Sequence, residues 1–306
     1  MSQRQSQDKV YSQIILDLKE STELLKENYV SGPDLSVTTE RTRVNKSTAQ
    51  ALLARAYLYS GDYQNAEALA TKVIDQKALY DTVGLSEVFL KNSKEAIFQL
   101  AKPTPNYENV NTHEGKGYIL RARPTISGIQ ESSSITPRFY LGFEIGDKRK
   151  NVWIGTYEVS STEHYYFPYK YKVKLSSNLT EYSTVIRLAE IYLIRSEARL
   201  YNGNSDGAIS DLNVIRKRAS LTDIRSKITI NLESVLAAIL QERRSELFTE
   251  WGHRWFDLKR TNKIDGVMQE VSKDKNSTWN VNAKLWPIPI YEIEANPSLK
   301  QNPGYQ

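Results

Sequence analysis

The residues that could do chemistry divide at once into a weak catalytic set and a stronger recognition set. The three histidines, His113, His164 and His253, stand far apart, with no HxxxH or HxH spacing to hold a metal. The chain has no cysteine, which removes thiolate zinc sites, disulfides and a cysteine nucleophile. There is no GxSxG elbow, no GxxxxGK(S/T) loop and no GxGxxG after a strand. Carboxylates are plentiful, so a glycosidase pair is left open by the sequence. Glu246 and Glu250 lie one helical turn apart, but Arg243, Arg244 and Arg254 flank them and favour ionised carboxylates in a structural ion network. No metal site, cofactor or catalytic residue is expected.

Recognition chemistry is better represented. Tyrosine reaches 19 residues, eight of them between Tyr107 and Tyr171, a density that picks out this region for binding. Trp153, Tyr157, Tyr165, Tyr166, Phe167, Tyr169 and Tyr171 are interleaved with Arg138, Lys148, Arg149, Lys150, Lys170 and Lys172. Flat rings meet the C–H faces of sugars while polar neighbours take the hydroxyls. Trp153, Tyr157, Tyr165, Tyr166 and Tyr169 are therefore the candidate ligand contacts, against the plainer reading that one face of each strand is core. Alternation puts Tyr165, Phe167, Tyr169 and Tyr171 on one strand face, and Tyr166, Lys170 and Lys172 nearer the other, with Pro168 disturbing the pattern.

The elements that must position these rings are mainly helical. Apolar spacing predicts a helix over 8–27, with Val10, Ile14, Leu18 and Leu25 on its inner face. Residues 54–74, ARAYLYSGDYQNAEALATKVI, align with 196–216, SEARLYNGNSDGAISDLNVIR, at a constant offset. Ala56 meets Ala198, Gly61 meets Gly203, Ala66 meets Ala208 and Val73 meets Ile215. Each copy reads as two antiparallel helices joined at a glycine, a tetratricopeptide-like hairpin that needs a neighbour to bury its face. Further helices are expected at 182–202, 206–219, 231–248 and 254–262, with a bend at Gly252. Between the two hairpins, residues 102–183 form a loop-rich insertion with short strands. After Asn276, Pro287, Pro289, Pro297 and Pro303 predict an extended tail laid on the helical body through Leu285, Trp286, Ile288 and Ile290.

Composition narrows the class. The net charge of +5 is dispersed, without the dense basic stripe of a nucleic-acid binder. No run of about 18 apolar residues is present to cross a membrane, and the opening MSQRQSQDKVYSQ has no apolar signal core. The segment QERRSELFTEWGHRWFDLKR, residues 241–260, mixes charge with Trp and Phe. It is read as a lock that fastens the Gly252 bend, its charges paired and partly buried.

DKVYSQIILDLKES, KSTAQALLARAYLYSGDYQNAEALATKVI, NSKEAIFQL, GDKR, IRLAEIYLIRSEA, DLNVIRKRA, ERRSELFTEWGHRWFDLKR and WPIPIYEIEANPSLKQNPGY follow one another from residue 8 to 305. In order and spacing these blocks resemble the SusD/RagB family. The resemblance implies a helical, tetratricopeptide-like single domain over 1–306 with a loop-rich binding face. It further implies a non-catalytic lipoprotein on the outer-membrane surface, capturing glycan or peptide for a SusC-like TonB-dependent transporter. The alternative function is a scaffold that docks the transporter without touching nutrient. Members of the family usually carry a signal peptide, a lipidated cysteine and many more residues before the first helix seen here, so the chain is expected to be an N-terminally short form. The family's binding residues are not carried over; the aromatic candidates rest on residue chemistry.

Overall fold

The computed structural model describes residues 3–102, 110–125 and 133–305. Its elements, in chain order, begin with α1 (Gln7–Leu24), α2 (Lys46–Ser60), α3 (Tyr63–Ile74) and β1 (Ala96–Leu100). The middle of the chain gives α4 (His113–Tyr118), α5 (Pro137–Leu141), α6 (Lys148–Trp153), β2 (Ile154–Glu158), β3 (His164–Pro168) and β4 (Ser183–Arg187). Then follow α7 (Leu188–Tyr201), α8 (Ser205–Arg218), α9 (Leu232–Glu246), α10 (His253–Arg260), α11 (Ile264–Asp274) and α12 (Ile290–Ala295).

The two matched hairpins, α2–α3 and α7–α8, form as the repeat predicts. Asn45 starts α2 by accepting the Thr48 N–H at 3.0 Å, and the Thr48 hydroxyl receives the Asn45 N–H in return. Gly61 and Gly203 end the first helix of each pair with φ of 81° and 84°, a left-handed turn that costs a side-chain-bearing residue about 1–2 kcal/mol. Ala66 and Ala208 are completely buried, so the second helix of each pair closes against the first without a gap. The hairpins pack on each other through α3 and α7, with α1 against α2 and α9 against α7. Their shared core runs through Leu53, Tyr57, Val73, Ile191, Ile194, Ile209, Ile215 and Ile239.

Several expectations are corrected. Residues 183–187 are a strand, not the start of a helix: β4 pairs antiparallel with β1, and α7 begins only at Leu188. The β-branched run Thr184, Val185, Ile186 suits a pleated ladder better than a helix. On α1 Leu18 packs inward as expected and is joined by Ile15, while Val10 and Ile14 are exposed. The tail contains the short α12 and a 3₁₀ turn at Val281–Lys284, and α11 precedes it. Leu285, Trp286 and Ile290 are exposed instead of docked. The tail is folded on itself by polar bonds: Gln301 brackets Ile288 with two contacts of 2.8 Å, and the Asn302 amide donates to Trp286 O at 2.6 Å.

Of the 102–183 insertion, residues 103–109 and 126–132 lie outside the described residues, taking Tyr107, Pro103 and Pro105 with them. From the rest, Phe143, Trp153, Ile154 and Tyr171 join Leu85, Val88, Phe89 and Phe248 in a second apolar cluster. A smaller third cluster joins Ile119, Leu120 and Phe167.

Candidate functional site

The hairpin β2–β3 pairs Tyr157 with Tyr165 and Thr156 with Tyr166, so the first pair and the second lie on opposite faces. On one face Tyr157, Tyr165 and Tyr169 half-cover Phe167 and the Ile119–Leu120 pair. Tyr165 donates its hydroxyl to Glu163 at 2.8 Å, and the Lys172 ammonium lies 4.0 Å over the Tyr169 ring. On the other face Tyr166 stacks on Tyr140 at 3.7 Å, which leaves one ring face covered. Trp153 must be withdrawn from the ligand contacts. Its side chain is wholly buried in the second cluster, and its indole N–H is spent on Leu85 O at 2.8 Å. Clustering with exposed tyrosines in sequence misled because α6 ends at Trp153 and turns it inward just before β2 departs.

A small recess lies elsewhere, where Glu114 and Tyr118 of α4 meet Tyr171, Thr184, Thr249, Glu250 and Trp251 around a cleft of about 190 Å³. Trp251 is half exposed at 48%, unusual for so large an apolar ring. Its indole N–H donates to Thr184 O at 2.7 Å, which fixes the plane of the ring. Thr249 and Trp251 have φ of 57° and 42°, and Gly252 follows at 73°. Two residues with side chains in the left-handed region within three positions store roughly 1–3 kcal/mol each, strain that the surrounding structure must outweigh. Opposite stands the Glu114 carboxylate, accepting from the Ser183 hydroxyl at 2.7 Å with lone pairs to spare. Burial, with the Glu114 charge, pushes the Tyr118 phenol up, so it stays a hydrogen-bond donor at neutral pH. Neither Tyr118 nor Trp251 was singled out from the sequence as a ligand contact. Trp251 falls within the 241–260 segment read there as the lock on the bend.

That bend is held by a buried ionic hub. Arg187 donates to Glu95 at 2.8 Å, to Glu246 at 2.6 Å and to Glu250 at 2.8 and 2.9 Å. Arg149 reaches Asp147, Glu242 and Glu246 at 2.6–2.9 Å, and Arg218 bonds Glu95 and Glu246. Lys170 donates to the backbone oxygens of Glu246 and Phe248 and to Glu250, under the rings of Phe89, Trp153 and Phe248. Burial pulls its ammonium down to about 8 despite the Glu250 charge. Burial alone would raise Glu250, but Arg187 and Lys170 outweigh it and hold that carboxylate ionised. The lock read from residues 241–260 is real, though its partners differ. Arg243 pairs with Asp257 at 2.7 Å, whereas Glu246 and Glu250 are met by arginines and a lysine from outside the segment.

Among the described residues no group of three or more His, Cys, Asp or Glu converges as a metal site. His253 lies 3.8 Å from Glu190 inside the helical body, while His164 bonds the Tyr166 hydroxyl on the hairpin. No described helix is long and apolar enough to cross a membrane.

Residues 148–305, more than half of the chain, match the SusD family. The chain belongs to the SusD family. It is 27% identical to SusD-like protein P2 of Formosa agariphila, over 98% of this chain and 65% of that protein. It is 33% identical over 127 residues to the starch-binding protein SusD of Bacteroides thetaiotaomicron, covering 40% of this chain and 21% of that one. The crystal structure of a SusD superfamily protein from Bacteroides vulgatus superposes with a TM-score of 0.79 at 22% identity, over 98% of this chain and 69% of that one. The mainly helical, tetratricopeptide-like architecture is thus the SusD fold. The chain spans 65% of the length of the first of these relatives.

Proposed function

We propose that this SusD-family chain is a non-catalytic, surface-displayed glycan-binding protein that delivers its ligand to a SusC-like TonB-dependent outer-membrane transporter. Its binding unit is the whole helical domain, 1–306, and its recognition face combines the 102–183 insertion with the bend at Gly252. The observation that carries the reading is Trp251: a half-exposed indole, tethered through its own N–H and strained into place, facing a carboxylate and a phenol. A pyranose laid on that ring would turn hydroxyls toward Glu114 and Tyr118. Ring, acceptor and donor are already positioned, so binding need not order them. The relative named as starch-binding supports the ligand class. Tyr157, Tyr165, Tyr166 and Tyr169 remain outlying contacts, available to the further units of an oligosaccharide.

A glycan array followed by calorimetry on the best hit tests this. Truncating a central aromatic anchor costs more than about 1 kcal/mol, so Trp251→Ala is expected to weaken binding about fivefold or more. Tyr165→Ala, at the rim, should cost less. Wild-type affinity in Trp251→Ala would discard the cleft. A blank array from folded protein that still retains the transporter would instead favour the scaffold alternative.

A further inference from the structure

The strongest unassigned feature is a second, solvent-open cavity of about 490 Å³, lined by residues of α5, α9, α10 and α11. Three arginines line it: Arg138, Arg244 and Arg254. Elsewhere Arg149, Arg187, Arg216, Arg218, Arg243 and Arg260 each bond at least one carboxylate. Arg244 and Arg254 depart from this rule. Among the described residues neither guanidinium has a hydrogen-bond or ion-pair partner. Both are half-buried, and Arg244 lies over the Phe139 ring at 5.3 Å.

The cost of this arrangement shows in their titration. Burial and the Arg138 charge lower Arg244, while burial and Arg244 in turn lower Arg254. Asp257 counters only in part. Its oxygens are already taken by Arg243 at 2.7 Å and by Arg260 at 2.7 and 2.9 Å. Arg138 is held on the far side by Asp274 at 2.9 Å, with Glu270 at 4.0 Å, so it lends field more than free donors. Glu270 also lines the cavity but is bonded by Lys273 at 2.7 Å. The remaining wall is mostly apolar, with Phe139, Leu258, Val267, Met268 and Val271 beside Thr136.

Two unpaired guanidiniums that repel each other, set in an apolar wall, complement one kind of ligand. An oxyanion between them would relieve the repulsion and take charge-assisted, partly desolvated bonds from both. A bare inorganic ion would leave the apolar side uncovered. We propose that this cavity is an anion-recognition site, in which Arg244 and Arg254 clamp the carboxylate or sulfate of an organic ligand whose body rests on Phe139, Val267 and Val271. The site stands apart from the Trp251 cleft and does not depend on its reading.

Calorimetry on the 306-residue chain at low ionic strength, with glucuronate, glucose 6-sulfate, benzoate and neutral glucose as probes, decides the matter. At least one charged probe is expected to bind, more weakly as salt is raised, and glucose is expected to give no heat. Comparison of the carboxylate and sulfate probes assigns the oxyanion. Each charged hydrogen bond is worth about 1.5–3 kcal/mol, so Arg244→Gln and Arg254→Gln should each weaken binding about tenfold or more, and the double variant should abolish it. A separate readout guards against misfolding. Because the arginines repel each other, the unliganded variants should melt at or above the wild-type temperature, whereas a purely structural role predicts a lower one. Failure of every charged probe to bind the folded wild type, or equal binding by the double variant, would overturn the proposal.

Discussion

Glu246→Ala is expected to lower the melting temperature of this protein by about 5 °C or more, the largest effect of any single carboxylate. The Glu246 side chain has no solvent exposure and accepts from Arg187 at 2.6 Å, Arg149 at 2.9 Å and Arg218. Burial would raise its pKa, but those three arginines hold it far below the ordinary carboxylate range. Removing one member of a buried pair costs about 3–5 kcal/mol, because the partner stays desolvated and uncompensated. Here three guanidiniums lose a partner together. Their other carboxylates cannot fully replace it: Glu95, Glu242 and Glu250 each serve two cations, and Asp147 is already bonded to Arg149. In a chain of this length each kcal/mol moves the midpoint by roughly 1.5–2 °C. An exposed pair gives the control: breaking Lys273–Glu270 on α11, where solvent screens both charges, should leave the midpoint essentially unchanged. Melts followed by circular dichroism separate the two. A Glu246→Ala midpoint within a degree or two of wild type would mean that the hub contributes no net stability.

The hub also explains what could and could not be read in advance. The helical hairpins were legible because glycine, alanine and apolar positions repeat at one offset and each position has a local cause. Burial of the 241–260 segment was legible too, since charges interleaved with Trp and Phe have no solvated face large enough for all of them. The partners were not. Arg149, Arg187, Arg218 and Lys170 come from α6, β4, α8 and the stretch after β3, and no local spacing announces that they converge. The cleft failed for the same reason. Tyr118 and Trp251 belong to segments remote in sequence, while Trp153 was over-read because density along the chain says nothing about the direction in which a ring points. A signal for Trp251 did exist. A tryptophan next to a glycine at a helix bend is a poor candidate for burial on both faces. β4 carried its own signal in Thr184, Val185 and Ile186, overridden by the longer helical period that follows.

Acid should weaken the fold in two stages, and His253 is expected to supply the first. His253 is buried between α9 and α7, and burial draws its pKa down from 6.5 to about 4. Glu190 pulls the other way from 3.8 Å, but Arg243 and Arg55 add to the burial and keep the imidazole neutral. The unfolded chain therefore binds a proton at this residue between pH 6.5 and 4 that the folded chain refuses. Stability rises with pH wherever the unfolded state holds more protons, so it falls on acidification across that window, by about 3 kcal/mol in total. The second stage belongs to Glu190. Burial would raise its carboxyl, yet Arg55, bonded at 2.6 and 2.7 Å, with help from His253, brings it to about 2. A carboxylate depressed in this way stabilises the fold above pH 4.5, and that contribution is lost as the pH falls toward 2. Denaturant midpoints measured from pH 7 to pH 3 should slope downward from about pH 6.5. His253→Gln, which cannot take a proton, should flatten the limb above pH 4.5 and leave the steeper one below it. An unchanged upper limb in that variant would show that protonation of His253 is not what the unfolded state gains.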